Sequence, residues 1–260
     1  MAAPRDLWRA SHILAVMRIA AISDIHGNLA ALEAVLADIA RRRVDVVVNL
    51  GDILSGPLQP RATAARLMPL NFPTIAGNHE RQMGCDPAQM RPSDRYAYDD
   101  MTPDQHAWMR ALPPTLRVGD DVVLVHGTPA SDTVLWLDGV SPAGRHAAAH
   151  DEVRERAGAE EASLFLCGHT HLPRSMLLDD GRLVVNPGSV GLQAYRDDYP
   201  IPHKMENGTP HARYAVLERT GATWSVEHIA LAYDWHGAAA LAERNGRADW
   251  AHALRTGRMP

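Results

Sequence analysis

Five runs of β-forming residues, Arg18 to Ile22, Val44 to Leu50, Phe72 to Ala76, Val122 to Val125 and Leu164 to Cys167, each stop at a short polar segment. Between the first two, Leu29, Leu32, Leu36 and Ile39 recur at spacings of three and four. That period predicts an amphipathic helix over residues 28 to 43, with Asn28 as its N-cap and Arg41, Arg42 and Arg43 in a last turn where cations complement the helix dipole. Further helical patterns cover Pro60 to Met68, Pro103 to Leu112, Ser141 to Gly158 and the Ala-rich carboxyl end from about Asp234. From residue 115 the texture changes to short strands in pairs: Leu116 to Val118 with Val122 to Val125, Met176 to Leu178 with Leu183 to Val185, and Tyr214 to Leu217 with Trp224 to Ile229. Each pair flanks a Gly-containing turn and predicts a hairpin. Strand–helix units followed by hairpins predict two sheets packed face to face with helices outside.

No internal repeat or low-complexity linker divides the chain, so residues 17–260 are expected to form a single domain. A strand starting at Arg18 needs nothing upstream, which leaves residues 1–16 as an N-terminal extension outside the core. Arg18 interrupts the apolar stretch from Ser11, and no small-residue cleavage site precedes Asp24, so a signal peptide is not expected.

Composition narrows the function classes. A net charge of −5 and a pI near 6.3 give no basic footprint for nucleic acid. Cys85 and Cys167 are too few for a disulfide framework, which points to a reducing compartment and a cytoplasmic location. No stretch approaches the roughly 20 apolar residues of a membrane span. The chain is compatible with a homo-oligomer.

The chemistry sits where the five strands end. The segments there are Asp24-Ile25-His26-Gly27-Asn28, Gly51-Asp52, Gly77-Asn78-His79-Glu80, His126-Gly127 and Gly168-His169-Thr170-His171. In open α/β sheets, ligand sites form outside the carboxyl ends of strands, so these segments can converge on one crevice. Together they deliver Asp24, His26, Asp52, Asn78, His126, His169 and His171, a metal-binding inventory of nitrogen and oxygen donors. If the segment after the first strand is extended, Asp24 and His26 point the same way and reach one ion. Asp52 adds a second carboxylate, able to bridge two ions. Two divalent cations offset by two carboxylates leave a formal charge of about +2, suited to a phosphate ester and a hydroxide. An Asp-x-His or a His-x-His alone has an ordinary structural explanation; the conjunction is what points to a site. The nine other histidines are expected on the surface or packed, and the six tryptophans as core or rim anchors.

In this order the segments resemble the signature of the calcineurin-like metallophosphoesterase superfamily: Asp-x-His, Gly-Asp, Gly-Asn-His-Asp/Glu, His and Gly-His-x-His. The Asp24 to Asn28 start, the Gly51 to Pro57 segment and Asn186-Pro187-Gly188-Ser189-Val190-Gly191 are similar to compact YfcE/MJ0936-type phosphodiesterases. The resemblance, spanning residues 18 to 230, implies a four-layer α/β/β/α sandwich of two mixed sheets with flanking helices. It also implies a binuclear centre in which one metal takes Asp24, His26, Asp52 and His171, and the other takes Asp52, Asn78, His126 and His169. By the same resemblance a hydroxide bridging the metals attacks phosphorus, Asn78 and the metals stabilise the developing charge, and His79 protonates the leaving oxygen; a purely orienting role for His79 is the alternative. Glu80 is expected to position its loop. Mn is the expected ion, with Fe, Ni or Zn accepted by the same donors.

Phosphoprotein phosphatases and symmetrical dinucleoside tetraphosphatases carry Gly-Asp-x-x-Asp-Arg-Gly, whereas Gly51-Asp52 is followed here by Ile53-Leu54-Ser55-Gly56-Pro57. The aspartate that would orient His79 and the phosphate-binding arginine are absent from that segment, which argues against protein phosphatase activity. The polar stretch from Arg196 to His211 is longer than the compact enzymes require. It reads either as a solvated loop or as a source of phosphate or base contacts from Arg196, His203, Lys204, His211 and Arg213. The motif loops bring Arg81 alone, so a phosphodiester is expected over a monoester, whose dianion usually meets arginine forks; Arg81, Arg196 and Arg213 are the candidate substrate contacts. The alternatives are a phosphomonoesterase or nucleotidase using the same site and, in another class, a non-catalytic protein-binding scaffold of the same fold.

Overall fold

The computed structural model describes residues 17–260; the N-terminal extension expected over residues 1–16 lies outside them. The first part of the chain alternates strands and helices: β1 (Met17–Ile22), α1 (Leu29–Ile39), β2 (Val46–Asn49), α2 (Pro60–Leu67), α3 (Asn78–Met83), α4 (Pro92–Asp100) and α5 (Pro103–Arg110). Short strands then dominate: β3 (Leu116–Val118), β4 (Val122–Leu124), β5 (Asp138–Ser141), β6 (Gly144–Ala147), α6 (His150–Ala157), β7 (Leu164–Leu166), β8 (Arg174–Leu177), β9 (Leu183–Asn186), β10 (Ala194–Asp197) and β11 (His203–Glu206). The long strands β12 (Ala212–Thr220) and β13 (Thr223–Leu231) precede α7 (Trp235–Arg244) and α8 (Ala248–Thr256).

Two mixed sheets form the centre. One runs in the order β13-β12-β1-β2, the other β3-β4-β7-β9-β8. β1 and β2 are parallel, as are β4, β7 and β9, so the loops that follow these strands leave from one end of each sheet. Strand alternation sorts the layers. Ile19 and Ala21 of β1 join Leu124, Leu164, Leu166 and Val185 in a core between the sheets. Ala20 and Ile22 face the other way, onto Leu32, Val35 and Leu36 of α1. Val123, Phe165 and Val184 pack outward on Val153 of α6 and on Trp136. Helix, sheet, sheet and helix thus make the four-layer α/β/β/α sandwich, held by apolar faces worth roughly 1.5–3 kcal/mol per fully buried large side chain.

Three segments expected to be helix or strand differ from that expectation. Residues 141 to 158 were expected to be one helix, but β5 and β6 form a hairpin there and only His150–Ala157 is helical. The turn is built by Ser141, whose Oγ accepts from Ala143 N at 3.3 Å, and by Gly144 at φ 103°, a conformation that stops a helix. The expected strand Phe72 to Ala76 makes a single bridge, Thr74 to Asn49, because Pro73 has no N–H to pair. α1 starts on its Asn28 cap, which accepts from Ala31 N at 3.2 Å, but ends at Ile39. Arg41 and Arg42 lie beyond the helix and fold back onto Asp38 at 2.9 and 2.6 Å.

The stretch read as a loop from Arg196 is an antiparallel ribbon, β10 paired with β11. α7 and α8 pack on each other and, through Ala238, Ala239, Trp250 and Leu254, on Leu58, Leu192 and Ala194. Ribbon and helices together wall the carboxyl ends of the strands.

Candidate metal centre

The loop after β1 brings Asp24 and His26 into a crevice between the two sheets; the loop after β2 brings Asp52. Asn78 and His79 open α3, His126 follows β4, and His169 and His171 follow β7. The loops are tied together by backbone bonds: Asp24 N donates to Gly51 O, His26 N to Asp52 O, and Gly168 N to His126 O, at 2.7–3.1 Å. Glycines permit the close approach. A Cβ on Gly77 would strike the Asp52 carboxylate, and one on Gly168 would strike Ser23 Oγ beside Asp24.

The extended geometry expected for Asp24 and His26 is not what brings them together. β1 ends at Ile22, and both residues sit in the left-handed region, Asp24 at φ 53° and His26 at φ 52°. The chain coils after the strand and both side chains turn into the crevice.

The site resolves into two groups of potential ligand atoms. Asp24, His26 and His171 form one; Asp52, His126 and His169 form the other, with the atoms of each within 4.8 Å of one another. The imidazole orientations are set by backbone carbonyls: Nδ1 of His26 donates to Ser55 O, of His126 to Leu50 O and of His171 to Leu192 O, each at 2.7 Å. This fixes the ring orientations and turns each Nε2 into the crevice. His26 Nε2 and His171 Nε2 face each other at 3.1 Å, an arrangement that asks for a cation between them. His169 is turned round, with Nε2 3.1 Å from Thr133 O, so its Nδ1 is the free donor atom. Asp24 Oδ2 and Asn78 Oδ1 are buried with no hydrogen-bond partner among the described residues. Buried polar atoms rarely go unpaired, and two orphaned oxygens in one crevice with the Nε2 atoms of three imidazoles fit a divalent metal pair.

Burial and the neighbouring His171 push His26 down to about 3, and burial and His126 push His169 down to about 4, so both imidazoles are neutral; burial opposes the charge of His126, but Asp52 and Asp24 raise it to about 10. Burial alone would raise Asp52, but His126 and His79 outweigh it and hold the carboxyl well below its usual range. Asp52 Oδ2 lies 3.1 Å from His126 Nε2 and 3.9 Å from His79 Nε2, beside both rings.

The carboxylate that the Gly51 to Pro57 segment lacks is supplied from elsewhere. Asp94, in the first turn of α4 and 1% exposed, accepts from His79 Nδ1 at 2.6 Å and from Ser55 Oγ at 2.7 Å. Burial opposes the charge of His79, but Asp52 and Asp94 raise it to about 9. Glu80 positions its loop: its carboxylate accepts from the backbone N of Asp52, Ile53 and Gly77 at 2.8–2.9 Å.

A cavity of about 490 Å³ opens beside these groups, lined by His26, Asp52, Asn78, His79, His169 and His171 on one side. Of the expected substrate arginines, Arg196 lines it. Arg81 does not: both arms of its guanidinium are held by Asp132 at 2.6 and 2.9 Å. Arg213 lies away from it, bonded to Thr209 Oγ1 at 2.7 Å. Arg91 and Arg247 enter the wall instead; His203, one of the possible contacts from the 196–211 stretch, lines it as well, as does Trp250, expected as a core or rim anchor. No periodicity or motif marks these positions, because they come from three separate segments. No described helix is long and apolar enough to cross a membrane.

Comparison with known proteins bears on this geometry. The uncharacterized protein MJ0912 of Methanocaldococcus jannaschii is 24% identical over 259 residues, 89% of this chain and 94% of its own. The crystal structure of a metallophosphoesterase from Sphaerobacter thermophilus is 25% identical and superimposes with a TM-score of 0.72 over 92% of this chain and 98% of its own. Residues 17–205, which hold every candidate ligand, the whole of the second sheet and β1 and β2 of the first, match the calcineurin-like phosphoesterase superfamily domain, and the chain belongs to that superfamily.

Proposed function

We propose that the protein is a binuclear metal-dependent phosphodiesterase. The observation that supports it most is the set of Nε2 atoms of His26, His126 and His171, each ring fixed by a carbonyl behind it and each turned toward Asp24 or Asp52. Asp24, His26 and His171 would hold one ion and Asn78, His126 and His169 the other, with Asp52 available to both. The mixed nitrogen and oxygen donors accept Mn, Fe, Ni or Zn, and Mn is the proposed ion. When bound, such a pair supplies Lewis acidity and a hydroxide nucleophile at neutral pH.

The remaining steps fall to the chain itself. Asn78, whose Oδ1 is buried and unpartnered, lines the cavity, where its amide N–H₂ would stabilise charge on a phosphoryl oxygen. His79, oriented through Nδ1 by Asp94, presents Nε2 to the cavity and protonates the leaving oxygen. A diester carries one charge and two free oxygens, which the metals and Asn78 hold without a further cation; Arg81, committed to Asp132, supplies none. The protein loaded with Mn²⁺ is therefore expected to show a higher kcat/KM for bis-p-nitrophenyl phosphate than for p-nitrophenyl phosphate. The reverse order at the same pH would move the assignment to phosphomonoesterase, and no hydrolysis of either by protein holding two ions would favour a binding scaffold.

A further inference from the structure

Beyond the metal ligands, we propose that the cavity is a subsite for a planar aromatic group of the substrate, built by the β10–β11 ribbon and by α8. The inference rests on the phosphoesterase reading and names what is attached to the phosphate. A phosphoryl group occupies only a small part of about 490 Å³, a volume typical of sites that enclose a whole small molecule. The rest must be filled by the groups esterified to it.

The wall facing that space is aromatic. Only 5% of the chain is Phe, Trp or Tyr, yet Tyr195, Tyr199 and Trp250 line this one cavity. The small Ala194 and Ala253 lie beside them and leave room for a flat ring. Two of the aromatic rings begin at the candidate ligands and are fixed there. Tyr195 donates its hydroxyl to His169 O at 3.1 Å and sets its ring 4.6 Å from His171. Trp250 packs edge-on to His26 at 5.9 Å, with the Arg247 guanidinium 5.5 Å from its ring. The helix that carries Trp250 is pinned over the site: Asn245 Nδ2 donates to Pro57 O and Tyr96 Oη, and Arg247 Nη1 to Ser93 Oγ, at 2.7–2.9 Å. Tyr199, at the outer end, is 71% exposed and is one of three large hydrophobic residues among the described residues left open to solvent. Preplaced rings bind planar groups at little entropic cost.

The test is equilibrium binding of phenylphosphonate and methylphosphonate, which differ only in the ring and are not hydrolysed, to the Mn²⁺-loaded full chain by calorimetry. Phenylphosphonate is expected to bind at least about 5-fold more tightly, the lower end of aromatic stacking on one ring. Trp250→Ala should bring the two Kd values together, and Tyr199→Ala, at an exposed position that folding does not need, should narrow the gap. Equal Kd values in the unaltered protein, a gap unchanged in both variants, or binding of neither phosphonate would overturn the subsite. If the gap is present but no phosphodiester is hydrolysed, the subsite stands and the catalytic reading fails.

Discussion

Five candidate ligands, Asp24, His26, Asp52, His169 and His171, hold φ between 52° and 68°, a region that L residues other than Asn and Asp seldom visit. The residue types of the site were legible because each motif is contiguous and ends a strand. Their backbone was not, since reasoning from strand periodicity carried past Ile22, where β1 stops. Asp94 was illegible for a different reason: it lies 15 residues from His79 on another helix, and only the packing of α4 on α3 brings the two together. On the proposed mechanism, His79→Ala should keep its metal and lose about 10²- to 10⁴-fold in kcat. Asp94→Asn should lose less, and the double variant little more than His79→Ala, because both act through one imidazole. Losses that multiply in the double variant would mean that Asp94 works through another group.

At the scale of elements, helices and hairpins with strong internal pattern were read correctly, and the failures are places where contacts between elements decide. The end of α1 is one. The Leu/Ile period was extended over Arg41 to Arg43, but the helix stops where Asp38 becomes a hub, accepting from Arg41, Arg42 and, at 2.5 Å, from Tyr214 Oη in the middle of β12. Arg42 continues to Glu227 on β13, clamping the helix end to the sheet. Burial would raise the Asp38 carboxyl, but the hydrogen bonds from Tyr214 and Arg42 outweigh it and lower its value below the ordinary 3.8. A carboxyl lowered in the folded state contributes stability above its unfolded value and loses it as pH falls through the folded one. Asp38→Asn is therefore expected to cost about 1.5–3 kcal/mol near neutral pH, with the difference from the parent protein shrinking below pH 3.8. Urea unfolding of both at pH 7 and pH 3 measures it; a difference that holds constant would show that the carboxylate charge contributes nothing.

For the whole molecule, the two-sheet sandwich followed from the order of strand–helix units and hairpins, but its enclosing ribbon and the docking of α7 and α8 did not, because short polar strands and Ala-rich helices carry no signal of where they pack. Each group of candidate ligands draws on both sheets, Asp24 and His26 with His171, and Asp52 with His126 and His169. Donors so far apart along the chain, from residue 24 to residue 171, meet only after both sheets have been built and stacked. Loop closure over such separations comes late in folding. A divalent ion therefore has nothing to grip on the way in, and it opposes only the way out. In stopped-flow measurements, Mn²⁺ should slow unfolding while leaving the refolding rate close to that in chelator, since interactions absent from the transition state act on the unfolding rate alone. Refolding accelerated by the ion, with unfolding unchanged, would place the meeting of the two sheets before the barrier instead of after it.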